Sequence, residues 1–157
     1  MKLYKIETVQ HVNASIEECW DFFSSPKNLQ TITLDNMSFE IQDFDDKRMY
    51  PGQIIVYTLK PLLGIKISWV TEITVAKENQ YFIDVQLFGP YKLWHHKHFF
   101  EETETGVKMT DVVHYALPFG YLGRIMNKLV VENKLKTIFN YRHNKIEELF
   151  NSKNITA

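Results

Sequence analysis

The chain has 157 residues, 45% hydrophobic and 24% charged, with a formal net charge of −1. This length fits one domain with a sizeable core, and the near-zero charge provides no field that attracts nucleic acid or an anionic membrane. The lone Cys19 excludes an internal disulfide, and neither a secretory signal pattern nor an apolar run of the roughly 20 residues that span a membrane is present, so we expect a cytoplasmic protein without integral membrane association.

The beginning of the chain predicts one strand and two short helices. Tyr4 to Val12 is rich in β-branched and aromatic residues, which is typical of a strand. Ser15 and Glu18 form a capping box, and apolar residues then recur at helical spacing. Ser25-Pro26 marks the start of a second short helix, which we expect to run to about Thr33.

Six further strands are predicted, because from Ser38 the hydrophobic period changes to two and turn-forming residues separate the segments. The predicted strands are 38–44, 53–60, 65–76, 81–88, 92–102 and 107–117. The third has one plainly buried face, which contains Trp69. In the fourth, apolar and aromatic residues lie on both faces, so the sequence leaves open whether Asp84 faces solvent or a cavity.

A long C-terminal helix is predicted from Arg124 to Phe150, a segment without proline or glycine. Arg142 lies inside its apolar stripe. It either pairs with a carboxylate across a pocket, or lays its methylene groups on the core and extends the guanidinium to solvent, which is the preferred interpretation.

The hairpin of residues 92–117 places polar groups on an apolar face. By strand alternation, one face carries Trp94, His96, His98 and Phe100 on its first strand, and Met109, Asp111, Val113 and Tyr115 on its second. A two-residue turn at Thr105-Gly106 sets His98 opposite Val113 and His96 opposite Tyr115. A loop longer or shorter by one residue would reverse the faces of one strand, so the register stays open.

This order of elements predicts an α+β fold in which a curved, seven-stranded antiparallel sheet wraps around the C-terminal helix. Because a curved sheet and a straight helix do not fit flush, we expect a ligand cavity between them. Residues 1–151 form the predicted single domain and 152–157 a frayed tail. The expected ligand-binding residues are Trp69, Trp94, His96, His98, Phe100, Met109, Asp111, Tyr115 and Arg142.

Several segments resemble a known family. They are Gly89 to Phe100 (GPYKLWHHKHFF), Met109 to Asp111, Tyr115 to Gly120, Ile138 to Arg142 and Trp20 to Phe23. The chain resembles the START-like or SRPBCC superfamily, and within it a bacterial branch of ligand-binding proteins related to polyketide cyclase-like proteins. The resemblance implies a helix-grip fold, with two short helices between strands 1 and 2, and a cavity for a hydrophobic ligand. It implies no reaction, because shared fold is weak warrant for shared function.

Three functions remain open at this point. The first is binding of a small hydrophobic molecule, such as a lipid, an isoprenoid or an aromatic polyketide, by a monomer or weak homodimer without a cofactor. The second, less favoured, is a cyclase or aromatase whose candidate catalytic residues are His96, His98, Asp111 and Tyr115, with an Asp–His pair as general base. The third is a partner-binding stress co-activator module.

The polar residues of the hairpin also have a purely structural interpretation, in which they satisfy one another and stiffen the sheet. A metal triad of His96, His98 and Asp111 is not expected, because nothing in the sequence fixes these three side chains at ligand distance.

Overall fold

The computed structural model describes residues 1–60 and 64–152. Strand β1 (Tyr4–Val12) is followed by helices α1 (Ile16–Phe23) and α2 (Pro26–Leu29) and a short 3-10 helix (Asp35–Met37). Six strands come next: β2 (Glu40–Phe44), β3 (Gln53–Leu59), β4 (Ile67–Lys77), β5 (Tyr81–Phe88), β6 (Leu93–Thr103) and β7 (Gly106–Ala116). Of the predicted frayed tail, residues 153–157 lie outside the described residues.

All seven strands form one antiparallel sheet in the order β1-β7-β6-β5-β4-β3-β2. The first strand of the chain therefore pairs with the last, while the other neighbours are consecutive in sequence. Register shifts interrupt the β2–β3 and β4–β5 pairings, and such bulges bend a sheet locally. Together with the two short helices that follow β1, this confirms the predicted α+β architecture.

The C-terminal helix begins at Gly120, four residues before the predicted start at Arg124. Phe119 and Gly120 both have positive φ, 64° and 53°, and turn the chain out of β7 into the helix. Gly123 is part of this helix. A β-carbon at this position would overlap the Pro118 carbonyl oxygen, so the position requires glycine. The helix continues through the segments Gly120–Met126, Asn127–Val131, Glu132–Ile146 and Glu147–Asn151, of which the second and fourth are π-helical.

Only part of the predicted apolar stripe of this helix is buried. Leu135, Phe139 and Ile146 are buried against the sheet side of the molecule, whereas Ile125 is 41% and Leu129 is 66% exposed. The first turns of the helix therefore expose most of their apolar side chains, although Asn127 in this part of the helix is buried.

The register of the β6–β7 hairpin differs by two residues from the predicted one. His98 lies opposite Asp111, and His96 lies opposite Val113. The turn consists of Glu104 and Thr105, with Thr103 paired to Gly106, rather than of Thr105 and Gly106. Because a shift of two residues keeps every side chain on its original face, the predicted inward faces of both strands survive the correction.

Two groups of buried side chains form the core. The first surrounds Trp20, where Phe82 and Phe100 pack edge-on against the indole with centroids 6.0 and 6.1 Å away. The second surrounds Trp69 and Trp94, whose ring centroids lie 5.4 Å apart. In the described residues, no helix has the length and apolar character needed to cross a membrane.

Candidate functional site

A cavity of about 190 Å³ lies between the concave face of the sheet and the C-terminal helix. Strands β3 to β6 supply one wall and the C-terminal helix the other. Helix α2 and the segment after it close one side. Most of the lining is apolar: Phe22, Phe23, Pro26, Leu29, Ile32, Met37, Phe39, Met49, Ile55, Tyr57, Leu59, Trp69, Ile73, Phe82, Tyr91, Trp94, Leu135, Ile138 and Phe139.

Stacked aromatic side chains form a continuous wall at one end of this cavity. Trp69 stacks on Tyr57 with centroids 6.0 Å apart and meets Trp94 edge-on. Tyr91 packs against Trp94 with centroids 4.8 Å apart. The Nε1–H group of Trp69 is buried and has no hydrogen-bond partner among the residues that the structure describes. A buried donor of this kind costs free energy unless an acceptor reaches it.

Three of the four ionisable side chains in the lining, other than tyrosines, come from two adjacent strands. Asp84 on β5 pairs across the sheet with His96 on β6, and His98 follows His96 on the same face. The imidazole centroids of His96 and His98 are only 3.7 Å apart, closer than the roughly 6.6 Å between alternate residues of a strand. The two rings therefore lean toward each other, and Phe82 stacks on the far face of His98 at 4.1 Å.

Each imidazole lies between two carboxylates. On the cavity side, Asp84 Oδ2 is 3.0 Å from His98 Nε2 and 3.7 Å from His96 Nδ1. On the other side, Asp111 Oδ1 is 3.2 Å from His96 Nε2 and 2.6 Å from His98 Nδ1. The contacts of His96 with Asp111 and of His98 with Asp84 have hydrogen-bond geometry. The short contact between His98 Nδ1 and Asp111 Oδ1 does not. The four side chains, here called the His–Asp cluster, are all largely buried.

Burial and neighbouring opposite charges shift the pKa values of the His–Asp cluster in opposite directions. Burial alone raises the pKa of both carboxyl groups, but the pKa of Asp84 is lowered by the His98 hydrogen bond, and the pKa of Asp111 is held well below its usual range by Arg142 and His98. Burial likewise lowers the pKa of His98, yet Asp111 and Asp84 outweigh it and raise that pKa. For His96, burial and the neighbouring His98 prevail and lower the pKa.

These directions favour ionised carboxyl groups, a protonated His98 and a neutral His96. Arg142 adds a positive charge beside the cluster. It is half-buried and lines both the main cavity and a smaller one of about 10 Å³ that reaches Asp111. The guanidinium lies 5.9 Å from the ring centroid of Phe23. Arg142 therefore lines the cavity and adds positive charge near Asp111, but among the described residues it forms no ion pair with a carboxylate, so neither predicted interpretation is fully realised.

Five of the nine residues expected to bind ligand line the main cavity: Trp69, Trp94, His96, His98 and Arg142. The other four lie elsewhere. Phe100 packs beside Trp20, Met109 and Asp111 face the smaller cavity, and the Tyr115 hydroxyl donates a hydrogen bond of 3.0 Å to Asn127 on the C-terminal helix.

Asp84 is the residue that the sequence left undecided. The structure places its carboxylate in the lining of the main cavity, beside both histidines. Atoms of Asp84, His96 and His98 that could coordinate a metal all lie within 4.8 Å of one another. This is a different triad from the one considered on the sequence, in which Asp111 stood in place of Asp84.

Solved structures share this architecture. Protein CV1439 from Chromobacterium violaceum superimposes with a TM-score of 0.72 at 11% identity, over 93% of this chain and 96% of its own. A putative uncharacterized protein from Rhizobium leguminosarum gives a TM-score of 0.69 at 13% identity, over 94% and 96%. Ara h 8.0201 gives 0.62 at 13% identity, over 94% and 99%.

No protein-family model matches the sequence. No curated protein matches it either. At such low identity the structural similarities establish the fold and no more. The chain has a helix-grip fold.

Proposed function

We propose that this protein binds a small, largely apolar molecule in the cavity between the sheet and the C-terminal helix. The observation that carries the proposal is the cavity itself, about 190 Å³ in volume, lined mostly by apolar and aromatic side chains together with a few charged groups. Pockets that are mostly apolar, with a few convergent polar groups, are the usual form of small-molecule sites.

The size of the cavity restricts the ligand. An apolar cavity of about 150 Å³ accommodates benzene, and pockets for drug-sized molecules have about 300–1,000 Å³. A space of about 190 Å³ therefore fits a molecule with one or two rings. Of the ligand classes considered from the sequence, a small aromatic compound fits best, and a long-chain lipid would require the helix and sheet to separate.

Polar groups of the lining supply the contacts that orient such a ligand. The buried Trp69 Nε1–H and Arg142 Nε–H donors have no partner among the described residues, so a carbonyl or phenolic oxygen on the ligand would satisfy them. The His–Asp cluster lies in the same lining. A cyclase-type enzyme is the second candidate, favoured by His96: burial and the neighbouring His98 lower its pKa, which favours the neutral imidazole that a general base requires.

The proposal is tested by titrating the protein with a two-ring phenol, 2-naphthol, and following tryptophan emission. Trp69 and Trp94 line the cavity and Trp20 does not, so Trp20→Phe should retain the quenching that naphthol causes and Trp69→Phe should lose much of it. Native mass spectrometry of protein purified from its own host would identify a resident molecule. Failure of one- and two-ring phenols to change the emission would contradict the proposal.

A further inference from the structure

We propose that Asp84, His96 and His98 form a binding site for a divalent transition metal ion in the lining of the cavity. The proposal concerns the metal alone and holds whether or not an aromatic molecule binds beside it. It departs from the expectation drawn from the sequence, because Asp84 rather than Asp111 completes the triad.

Distances within the triad suit one metal ion. Two ligand atoms about 2.1 Å from a metal lie about 3.0 Å apart at a right angle and about 3.4 Å apart at the tetrahedral angle. Asp84 Oδ2 is 3.0 Å from His98 Nε2 and 3.7 Å from His96 Nδ1. The ligand atoms of the three residues lie within 4.8 Å of one another. Small rotations of the side chains therefore suffice to bring all three to bonding distance.

Asp111 occupies the position of a supporting carboxylate. A histidine that binds a metal through one ring nitrogen usually engages a carboxylate or carbonyl through the other, which fixes the tautomer and the ring orientation. Here Asp111 Oδ1 lies 3.2 Å from His96 Nε2 and 2.6 Å from His98 Nδ1, the nitrogens that face away from Asp84. Asp111 thus hydrogen-bonds to His96 and lies in close contact with His98, while the other nitrogen of each ring faces Asp84.

Neighbouring side chains hold this geometry in place. Phe82 stacks on His98 at 4.1 Å, and Phe139 of the C-terminal helix meets His96 edge-on at 5.9 Å. All three proposed ligands line the cavity, so the remaining coordination positions of the metal face open space. Three protein ligands with an open position are typical of reactive rather than structural metal sites, and two histidines with one carboxylate suit zinc or ferrous iron.

The proposal is tested by removing metal from the full chain with a chelator and then titrating the protein with Zn²⁺ in a calorimeter. We expect one Zn²⁺ per chain, and with Co²⁺ the visible absorption bands of an ion bound by nitrogen and oxygen. Asp84→Asn should abolish binding. Asp111→Asn should retain it with about 10- to 100-fold lower affinity, because that carboxylate only supports the ligands.

His95 and His114 provide the matched control. They lie opposite each other on the same two strands, on the other face of the sheet. The double variant His95→Asn/His114→Asn should bind Zn²⁺ like the unchanged protein, and loss of binding in it would assign the metal to that outer face and overturn the proposal.

A measurement on the unchanged protein avoids the problem of variants that fail to fold. The chain has six histidines, and Zn²⁺ should shift the ring-nitrogen NMR signals of His96 and His98 most strongly. Absence of Zn²⁺ binding, or shifts confined to other histidines, would refute the site.

Discussion

Replacing Leu135 by phenylalanine adds bulk to the cavity from the side of the C-terminal helix. Leu135 is only 3% exposed and its side chain lines the cavity. Phenylalanine carries about three more carbon atoms, and each buried CH₂ contributes about 0.8 kcal/mol. After a few tenths of a kcal/mol are subtracted for its lower helix propensity, we expect the free energy of unfolding to rise by about 1–2 kcal/mol.

The sign of this change distinguishes an open cavity from a filled interior. In a close-packed core the larger ring would force its neighbours apart and lower the free energy of unfolding by about 1–3 kcal/mol. Urea denaturation at pH 7 measures the difference. Leu122→Phe is the matched control, since Leu122 lies on the same helix and is 61% exposed. Its effect should stay within about 0.5 kcal/mol.

The same substitution should weaken binding of 2-naphthol, because the added ring occupies the space that the ligand needs. We expect a variant that is more stable and binds 2-naphthol less tightly, because the phenylalanine ring and the ligand require the same space. If Leu135→Phe destabilised the protein, the cavity would be refuted. If it stabilised the protein and left naphthol affinity unchanged, the ligand would have to bind elsewhere.

Asp111→Asn should lower the free energy of unfolding by about 3 kcal/mol in urea denaturation, because it leaves buried positive charge uncompensated. Gly106→Ala should lower it by more than about 1 kcal/mol, since Gly106 has φ +142° and a β-carbon there would overlap the Val12 carbonyl. Gln10 and Asn151 donate hydrogen bonds to Glu147 and lower its pKa, so its contribution is present above the unfolded pKa of about 4.3 and disappears as pH falls through the lower folded value. Because this side chain is 42% exposed, Glu147→Gln should cost only about 0.5 kcal/mol at pH 7 and almost nothing near pH 3. Equal costs at both pH values would contradict the role of its charge.

Local sequence signals determined the elements of the fold. The first strand was predicted with both of its ends, Tyr4 and Val12, and the capping box of Ser15 and Glu18 forms as expected. These features depend on neighbours in the chain, so the sequence contains the information they need. The hairpin register was wrong by two residues because the glycine of Thr105-Gly106 favoured a turn at those two residues, whereas in the structure Glu104 and Thr105 form the turn and Gly106 pairs with Thr103.

The site was predictable only where strand alternation was unambiguous. His96 and His98 lie on a strand with Lys97 between them, and they face inward as predicted. Asp84 was undecided because both faces of β5 carry apolar side chains, and only its pairing with His96 on β6 reveals that it faces the cavity. The surroundings of Arg142 were not predictable for a related reason. Its charge acts on buried carboxylates contributed by strands far away in sequence, whose positions no local pattern specifies.

The cavity and the His–Asp cluster are both unfavourable for stability, and this supports a functional role for each. Unfilled volume costs about 24 cal/mol per Å³ in comparable cores, so a cavity of about 190 Å³ forgoes about 4–5 kcal/mol. Buried ionised groups are no more stabilising than well-packed apolar side chains of similar size, and often less so. The cost of the cavity alone is close to the lower limit of the stability of a typical domain, about 5–15 kcal/mol. Because three members of the cluster line the cavity, a single function that uses an apolar space and charged groups in its wall explains both features together, whereas a purely structural role for the cluster leaves the adjacent cavity unexplained.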